Sequence, residues 1–260
     1  MGIINVTPDS FSDGGMYLDK GRAVARGEEL AAEGADIIDV GGESTRPGAA
    51  PVSAEEEIRR VIPVVRELSR RVSIPLSIDT TKAEVARRAL ECGAEIINDI
   101  SALRFDPGMA VVASRYNVPV ILMHMAGTPR TMQKNTKYAC LVEDILQFLR
   151  ERICVARDSG IEEDKIIIDP GIGFGKNVKR DNFTILHRLE AFRALGRPVL
   201  VGPSRKTFIR NLLGTDAGGS DAGTAAAAVI ALYNGANIIR VHDVRTIIAA
   251  ARVADAVRSA

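Results

Sequence analysis

The sequence predicts an α/β fold, a single (β/α)8 TIM barrel that forms one domain over residues 1–260. Three observations support this prediction: eight short apolar segments, helical patterns between them, and polar residues where the segments end. Three segments follow a Gly-Ala pair and three follow a proline, at residues 34, 93 and 235 and at residues 75, 119 and 198. Glycine often ends a helix and proline is tolerated at the first strand position, so both patterns indicate short buried strands.

The other two strand candidates begin at Ile3 and Ile166. Between the candidates, apolar residues recur at helical spacing in segments 58–68 and 141–149, and an alanine-rich run over 225–232 also favours a helix. Alternating strands and helices imply parallel strands, and eight such units fit a closed barrel. A doubly wound open sheet is the alternative architecture.

Two helix starts are predicted from capping boxes, in which a hydroxyl residue precedes a glutamate by three positions. Ser53 with Glu56 forms the first box, and Thr81 with Glu84 forms the second. Both predict a helix that begins directly after the hydroxyl residue.

The predicted strands end in a mostly polar set of residues. In a (β/α)8 barrel the carboxyl ends of the strands meet at one rim, where the chemistry takes place. The residues expected there are Asn5, Asp39, Asp79, Asn98, Met123, Asp169, Gly202 and Arg240. Polar side chains above apolar strands indicate a ligand-binding rim.

Asp169 ends an apolar strand and is followed at once by a Pro-Gly turn. A buried carboxylate is costly unless hydrogen-bond donors face it. Two interpretations stay open: the carboxylate accepts N–H groups of its own turn, as Asp often does, or it faces a ligand with paired N–H donors.

Four loops follow the strand ends. The first (residues 7–15) and the second (residues 41–48) are rich in glycine and polar residues, which suits either solvent loops or lids over a substrate. In the third (residues 202–206), Arg205 and Lys206 occupy a helix start, where acidic residues are usual. In the fourth, Arg240 and His242 alternate along a strand end, so both face the same side and suit a phosphate group.

The remaining histidines and the cysteines have weaker signals. His124 follows a strand and either reaches the rim or is structural, and His187 lies in a predicted helix and is expected to be structural. The three cysteines are unpaired in spacing, so we expect free thiols in a reducing compartment, placed as core residues.

Composition excludes several classes of protein. The chain is 46% hydrophobic and 26% charged with a net charge of +1, which predicts no pull toward nucleic acid. No apolar run reaches membrane-spanning length and no signal-peptide pattern begins the sequence, so a cytoplasmic protein is expected.

The sequence resembles the bacterial dihydropteroate synthase family along its whole length. Five segments support the resemblance: NVTPDSFSDGG (5–15), GESTRPG (42–48), DPGIGF (169–174), SRK (204–206) and RVHD (240–243). The resemblance implies an enzyme that joins p-aminobenzoate to 6-hydroxymethyl-7,8-dihydropterin diphosphate, forming 7,8-dihydropteroate and pyrophosphate. It also implies a homodimer and sensitivity of the family to sulfonamides.

The resemblance further implies the roles of individual residues. Pterin-binding residues would be Asp79, Asn98, Met123, Asp169, Phe174, Gly202 and Lys206. Diphosphate would be held by Asn5, Arg240 and His242, with Asn5 also near Mg²⁺, the expected cofactor. The p-aminobenzoate site would be bordered by Thr45, Arg46 and Ser204. The expected catalytic set is Asn5, Asp79, Asn98, Asp169, Lys206, Arg240 and His242.

Two other functions are weighed against the synthase. A methyltetrahydrofolate-binding module of the same barrel family would bind a folate without diphosphate chemistry, but Arg240 and His242, with Asp9 and Asp13 of the first loop, favour the synthase. An unrelated phosphosugar enzyme on the same barrel would leave the polar ends of three strands unexplained.

Overall fold

Eight parallel strands alternate with helices in the part of the chain that the structure describes. The computed structural model describes residues 1–7, 16–46, 48–134, 136–214 and 219–260, the side chains of 16–19 and 219–220 excepted. The strands are β1 (Gly2–Asn5), β2 (Ile38–Gly41), β3 (Leu76–Asp79), β4 (Ile96–Asp99), β5 (Val120–Met123), β6 (Ile166–Asp169), β7 (Leu200–Val201) and β8 (Ile238–Ile239). Most of the first loop, residues 8–15, with its Asp9 and Asp13, lies outside the described residues.

The strands close into a barrel. Strands β1 to β6 pair in chain order, and β7 pairs with β8. Single bridges join the two groups, from Ile168 to Val199 and from Gly2 to Val241. At the second junction the amide of Ile3 donates to the carbonyl of Val241 at 3.0 Å. The predicted TIM barrel is therefore confirmed, and the open sheet is wrong because both edges are paired.

Helices pack around the outside of the barrel. Their bounds are α1 (Met16–Ala32), α2 (Ala54–Leu68), α3 (Ala83–Glu91), α4 (Gly108–Tyr116), α5 (Leu141–Asp158), α6 (Asp181–His187), α7 (Thr207–Leu213), α8 (Gly219–Tyr233) and α9 (Val244–Arg258). Short 3-10 turns precede β6 and follow α6, at Glu163–Lys165 and Leu189–Leu195. The exposed His187 ends α6, in agreement with a structural position.

One predicted helix cap is confirmed and the other is wrong. Ser53 caps α2, and its hydroxyl accepts the N–H of Glu56 at 3.2 Å. Helix α3 begins only after Lys82, so Thr81 is not its cap. The first amide of α3, that of Ala83, instead donates to the Asp106 carboxylate at 2.8 Å. A side chain from a neighbouring loop replaces the local cap, which the local sequence pattern does not reveal.

Strand alternation places the functional rim directly above an apolar layer. Side chains two positions apart on a strand face the same side. The barrel interior contains a cluster formed by Met1, Ile96, Ile121 and Leu200, with Ile37, Ile167 and Ile238 packed against it. Six of the rim residues follow these by two positions, for example Asp169 after Ile167 and Arg240 after Ile238. The polar rim therefore lies directly above an apolar layer of the barrel interior.

The cysteine prediction is wrong in part. Cys140 and Cys154 are exposed, and only Cys92 packs partly against the core. Cys140 precedes α5, and Cys154 lies beside the buried face of that helix, so neither reaches the core. No helix among the described residues is both long enough and apolar enough to cross a membrane.

Candidate active site

Arg240 connects three strands at the rim. Its Nε donates to Asp39 Oδ2 at 2.6 Å, and one terminal nitrogen donates to Asp79 Oδ2 at 2.7 Å. The partners are 201 and 161 positions away in sequence, so only barrel closure brings them together. Two of the five guanidinium N–H groups are used in this way, and the others remain for a ligand.

Asp39 lies deeper than the strand end at which we expected it. Strand β2 continues to Gly41, which leaves Asp39 two residues below the end and completely buried. Its Oδ2 also accepts the side-chain amide of Asn98 at 3.1 Å. Because that amide nitrogen is directed at Asp39, the carbonyl oxygen of Asn98 is the acceptor left for a ligand. The prediction that Asp39 lies on the rim is wrong, and its side chain instead orients Asn98 and Arg240 from below.

The electrostatics of Asp79 follow from its depth. Burial raises the pKa of Asp79 above its ordinary value, and the Arg240 guanidinium opposes the rise. For Arg240, burial would lower the pKa, but the Asp39 and Asp79 carboxylates hold it above its ordinary value. Asp79 Oδ1 has no bond to Arg240, so one oxygen stays free to accept a ligand N–H.

The turn after β6 fixes the Asp169 carboxylate. Its Oδ1 accepts the amide N–H of Gly171 at 2.7 Å, which confirms the interpretation that Asp169 bonds within its own turn. Gly171 has φ +74°, and a Cβ there would lie 1.9 Å from the carbonyl oxygen of His124, so only glycine fits. Burial raises the pKa of Asp169 to about 6, opposed by the Gly171 amide and by nearby Lys206. The second oxygen stays a predicted ligand acceptor.

Lys206 and Arg205 point in different directions. The Lys206 ammonium lies 4.1 Å from the centre of the Phe174 ring, and its stem packs at Gly173. Burial and Arg240 lower the pKa of Lys206 to about 8, with Asp169 acting in the opposite sense. Arg205 instead turns outward to Asp221, 3.0 Å away. Lys206 therefore lies against the site, whereas Arg205 forms an exposed ion pair.

An apolar wall lies beside these polar groups. Met123 and Phe174 are both buried. They belong to a separate cluster at the rim with Ile100, Met125 and Met132. Gly202 lies beside Arg240, where a Cβ would be 3.8 Å from the Arg240 Cβ.

A buried lysine lies under this wall, and sequence reasoning gave it no role. Lys176 is fully buried, and its Nζ contacts His124 Nδ1 at 2.9 Å and the carbonyl oxygens of Phe174 and Gly171 at 2.9 and 3.1 Å. Burial lowers the pKa of Lys176 to about 7. Burial and the neighbouring Lys176 lower the pKa of His124 to about 2, so the imidazole is neutral and accepts. His124 is therefore structural and does not reach the rim.

His242 is held in one orientation by Ser204. The backbone N–H of His242 donates to Ser204 Oγ at 3.2 Å, and that hydroxyl lies 2.9 Å from His242 Nδ1. Burial and Arg240 lower the pKa of His242 to about 4, so the ring is neutral near pH 7. When the hydroxyl donates to Nδ1, the single N–H of the neutral ring is on Nε2 and is free for an anion.

The second loop borders a cavity at the rim. The cavity has a volume of about 320 Å³, and Thr45, Asp79, Lys82 and Thr128 are among the residues that line it. Arg46, the other loop residue expected at the p-aminobenzoate site, is exposed. Asn5 ends β1 at the same rim and is half-buried.

The chain is similar to proteins of one known family. Residues 1–242 match the family described as pterin binding enzyme. Dihydropteroate synthase of Escherichia coli K12 is 48% identical over 260 residues, which cover 100% of this chain and 92% of the relative.

Solved structures show the same fold. The Yersinia pestis dihydropteroate synthase with a sulfonamide drug complex superposes with a TM-score of 0.95 at 45% identity, covering 100% of this chain and 94% of the other. The Xanthomonas albilineans dihydropteroate synthase in complex with 7,8-dihydropteroate gives 0.90 at 44% identity, with 100% and 93% covered. The chain therefore belongs to the pterin-binding enzymes, and within them to the dihydropteroate synthases.

Proposed function

We propose that this chain condenses 6-hydroxymethyl-7,8-dihydropterin diphosphate with p-aminobenzoate, releasing pyrophosphate and forming 7,8-dihydropteroate. The observation that supports this most directly is that three strands, β3, β4 and β6, carry hydrogen-bond acceptors at their carboxyl ends on the same rim, those of Asp79, Asn98 and Asp169. A solved relative binds 7,8-dihydropteroate, which contains both halves of the proposed product.

The acceptors suit the donor-rich edge of a pterin. Asp79 and Asp169 each have one carboxylate oxygen that accepts none of the hydrogen bonds described above. The side-chain carbonyl oxygen of Asn98 likewise accepts none of them. Met123 and Phe174 enclose the ring between apolar surfaces. A site built from fixed acceptors rejects ligands without matching N–H groups, because its buried oxygens would be left unpaired.

The diphosphate would lie on the β8 side of the rim. Arg240 offers its remaining N–H groups, and the neutral His242 offers Nε2–H. Lys206 is close to both the Phe174 wall and Arg240 and adds positive potential. These donors stabilise charge that develops on the leaving group, which is where preorganised donors accelerate a reaction.

The bond changes follow from this placement. The bond between the pterin methylene carbon and the diphosphate oxygen breaks, and its electron pair leaves with pyrophosphate. The cation is delocalised over the pterin ring, and the p-aminobenzoate nitrogen then bonds to the methylene carbon and releases one proton to water. No protein nucleophile is required for these bond changes.

Mg²⁺ is the proposed cofactor. No cluster of three His, Cys, Asp or Glu side chains that would suit a metal occurs among the residues whose positions are described. Mg²⁺ does not need such a cage, because it commonly binds one or two protein oxygens together with substrate phosphates and water. The amide oxygen of Asn5 is a hard donor and fits that pattern. When bound, the ion would neutralise charge on the diphosphate.

The amine substrate would enter between the second loop and β7. Thr45 lines the rim cavity, Arg46 is exposed beside it, and Ser204 lies at the end of β7 next to His242. Arg46 supplies a cation for the benzoate carboxylate. We further propose a homodimer in the cytoplasm, on the family resemblance alone.

One assay tests the function and separates it from pterin binding alone. Purified protein is mixed with the pterin diphosphate, p-aminobenzoate and Mg²⁺, and both pyrophosphate and 7,8-dihydropteroate are measured. Equal amounts of the two products are expected. Tight folate binding without pyrophosphate release would instead indicate a methyltetrahydrofolate-binding module.

A further inference from the structure

Lys82 connects three segments beside the active-site rim. It lies in the loop between β3 and α3, three residues after Asp79. Its Nζ is 2.6 Å from Glu57 Oε2 on α2 and forms a close ion pair with Glu43 in the second loop. One ammonium group therefore joins a strand end, a barrel helix and a rim loop.

The two carboxylates differ in burial, with the Glu43 side chain 23% exposed and the Glu57 side chain 0% exposed. Glu57 is completely buried on α2, a helix fixed by its packing against the barrel. Burial raises the pKa of Glu57, and the hydrogen bond from Lys82 opposes that rise. Burial alone would lower the pKa of Lys82, but Glu43 and Glu57 hold it above its ordinary value. Glu57 thus holds the Lys82 ammonium against α2, and Glu43 connects the second loop to the same ammonium.

The loop is already held at its base by another contact. Arg60 of α2 donates to the carbonyl oxygen of Gly42 at 2.9 Å. The ion pair of Lys82 fixes the next residue, Glu43, which is two positions before Thr45. The rim cavity of about 320 Å³ includes Thr45, Lys82 and Asp79 in its wall. The position of Thr45 relative to Asp79 therefore depends on the Glu43–Lys82 pair.

We infer that Lys82 is a positioning residue for the amine substrate, because its ion pair with Glu43 holds the second loop at the edge of the pterin pocket. The inference rests on the proposed function for the identity of that substrate. Lys82 itself contacts no reacting atom in this arrangement.

The test uses two routes that break the same connection. Glu43→Met removes the loop partner and leaves the pair of Lys82 with Glu57 intact. The double variant Lys82→Met/Glu57→Gln removes the cation without leaving an unpaired buried carboxylate, which would itself destabilise the protein. The matched control is Arg71→Met, which removes an exposed ion pair with Glu67 of 2.7 Å at the far end of α2.

Both routes are expected to raise the KM for p-aminobenzoate roughly tenfold, the order expected for one lost charge-assisted hydrogen bond. The pterin diphosphate affinity should stay within about twofold, and adding Glu43→Met to the double variant should have no further effect. Arg71→Met should leave both values unchanged. A general loss of structure would weaken the binding of both substrates. A rise in the KM for p-aminobenzoate alone therefore identifies a positioning role.

A second measurement requires no turnover. Amide hydrogen exchange of residues 42–46 should be faster in Glu43→Met than in the unaltered protein, with α2 unchanged. Unaltered exchange together with an unaltered KM overturns the inference, and so does an equal loss of affinity for both substrates. If the unaltered protein forms no dihydropteroate but loop exchange rises in the variant, the proposed function fails while the connection stands.

Discussion

The ammonium of Lys176 donates to the neutral ring of His124 across 2.9 Å, inside the fold and beneath the active-site wall. The same ammonium contacts the carbonyl oxygens at both ends of the 171–174 segment. Gly171 in turn donates to Asp169, and Phe174 contacts Lys206. One buried cation thus holds the turn on which two ligand-binding groups depend.

We predict that Lys176→Met unfolds more easily by about 3 kcal/mol, because three buried acceptors lose their donor. Methionine has similar length, so the volume is largely retained and the effect reports the lost hydrogen bonds. Urea unfolding followed by circular dichroism measures the change. Lys179, exposed in the same loop, gives the control Lys179→Met, which should change stability by less than about 0.5 kcal/mol.

Asp169→Asn should lose pterin affinity while the fold is retained. The amide oxygen can still accept the Gly171 N–H, so the new NH2 group must take the place of the ligand-facing oxygen. Ligand N–H groups would then face N–H groups, at a cost of about 1–3 kcal/mol, or roughly ten- to hundredfold in affinity. Isothermal titration calorimetry with the pterin substrate measures this, and an unchanged affinity contradicts the assigned role. Asp164→Asn, at an exposed site just before β6, is the control.

The pH dependence of kcat/KM for the pterin substrate should be bell-shaped. Asp79 and Asp169, with pKa values raised by burial to about 7 and about 6, become protonated as the pH falls through those values, and each loses an acceptor. Lys206, with its pKa lowered to about 8, becomes neutral as the pH rises through that value. We therefore expect a maximum between about pH 7 and 8. Lys206→Met should lower the maximum and remove the alkaline limb, and an alkaline limb that survives in that variant contradicts the assignment.

Removal of divalent cations should abolish turnover. The diphosphate leaving group and Asn5 provide only oxygen ligands, which Mg²⁺ prefers. Excess chelator should stop pyrophosphate release, and added Mg²⁺ should restore it. Circular dichroism in chelator should be unchanged, since none of the hydrogen bonds described within the rim depends on a metal. Full activity in chelator would exclude the proposed cofactor.

The positions of the rim residues could be predicted because they depend on local pattern and strand register. An apolar run that ends in a polar residue places that residue above the barrel interior, as at Asp79 and Asp169. Parallel pairing then brings such strand ends together, and no knowledge of distant contacts is needed.

The partners of these residues could not be predicted in the same way. The contact of Arg240 with Asp39 depends on barrel closure between segments 201 positions apart. Three glycines at alternate positions before Lys176, namely Gly171, Gly173 and Gly175, have left-handed backbone conformations that turn its loop back toward the barrel. Lysine is usually exposed, so the local sequence gives no reason to expect this one inside the fold.

Two junctions join β7 and β8 to the other six strands, and together they are called the barrel seam. Substrate binding across this seam would affect the stability of the barrel wall. Strands β1 to β6 pair over three or four residues at each junction, whereas β7 and β8 pair with each other over two residues and join the rest at single bridges. Lys206 and His242 follow these two short strands, while Asp79 and Asp169 end four-residue strands of the larger group. A substrate that forms hydrogen bonds to residues on both sides of the seam would link β7 and β8 more firmly to the other strands. Amide protection in β7 and β8 would then rise with occupancy, so the substrate itself would complete the wall that binds it.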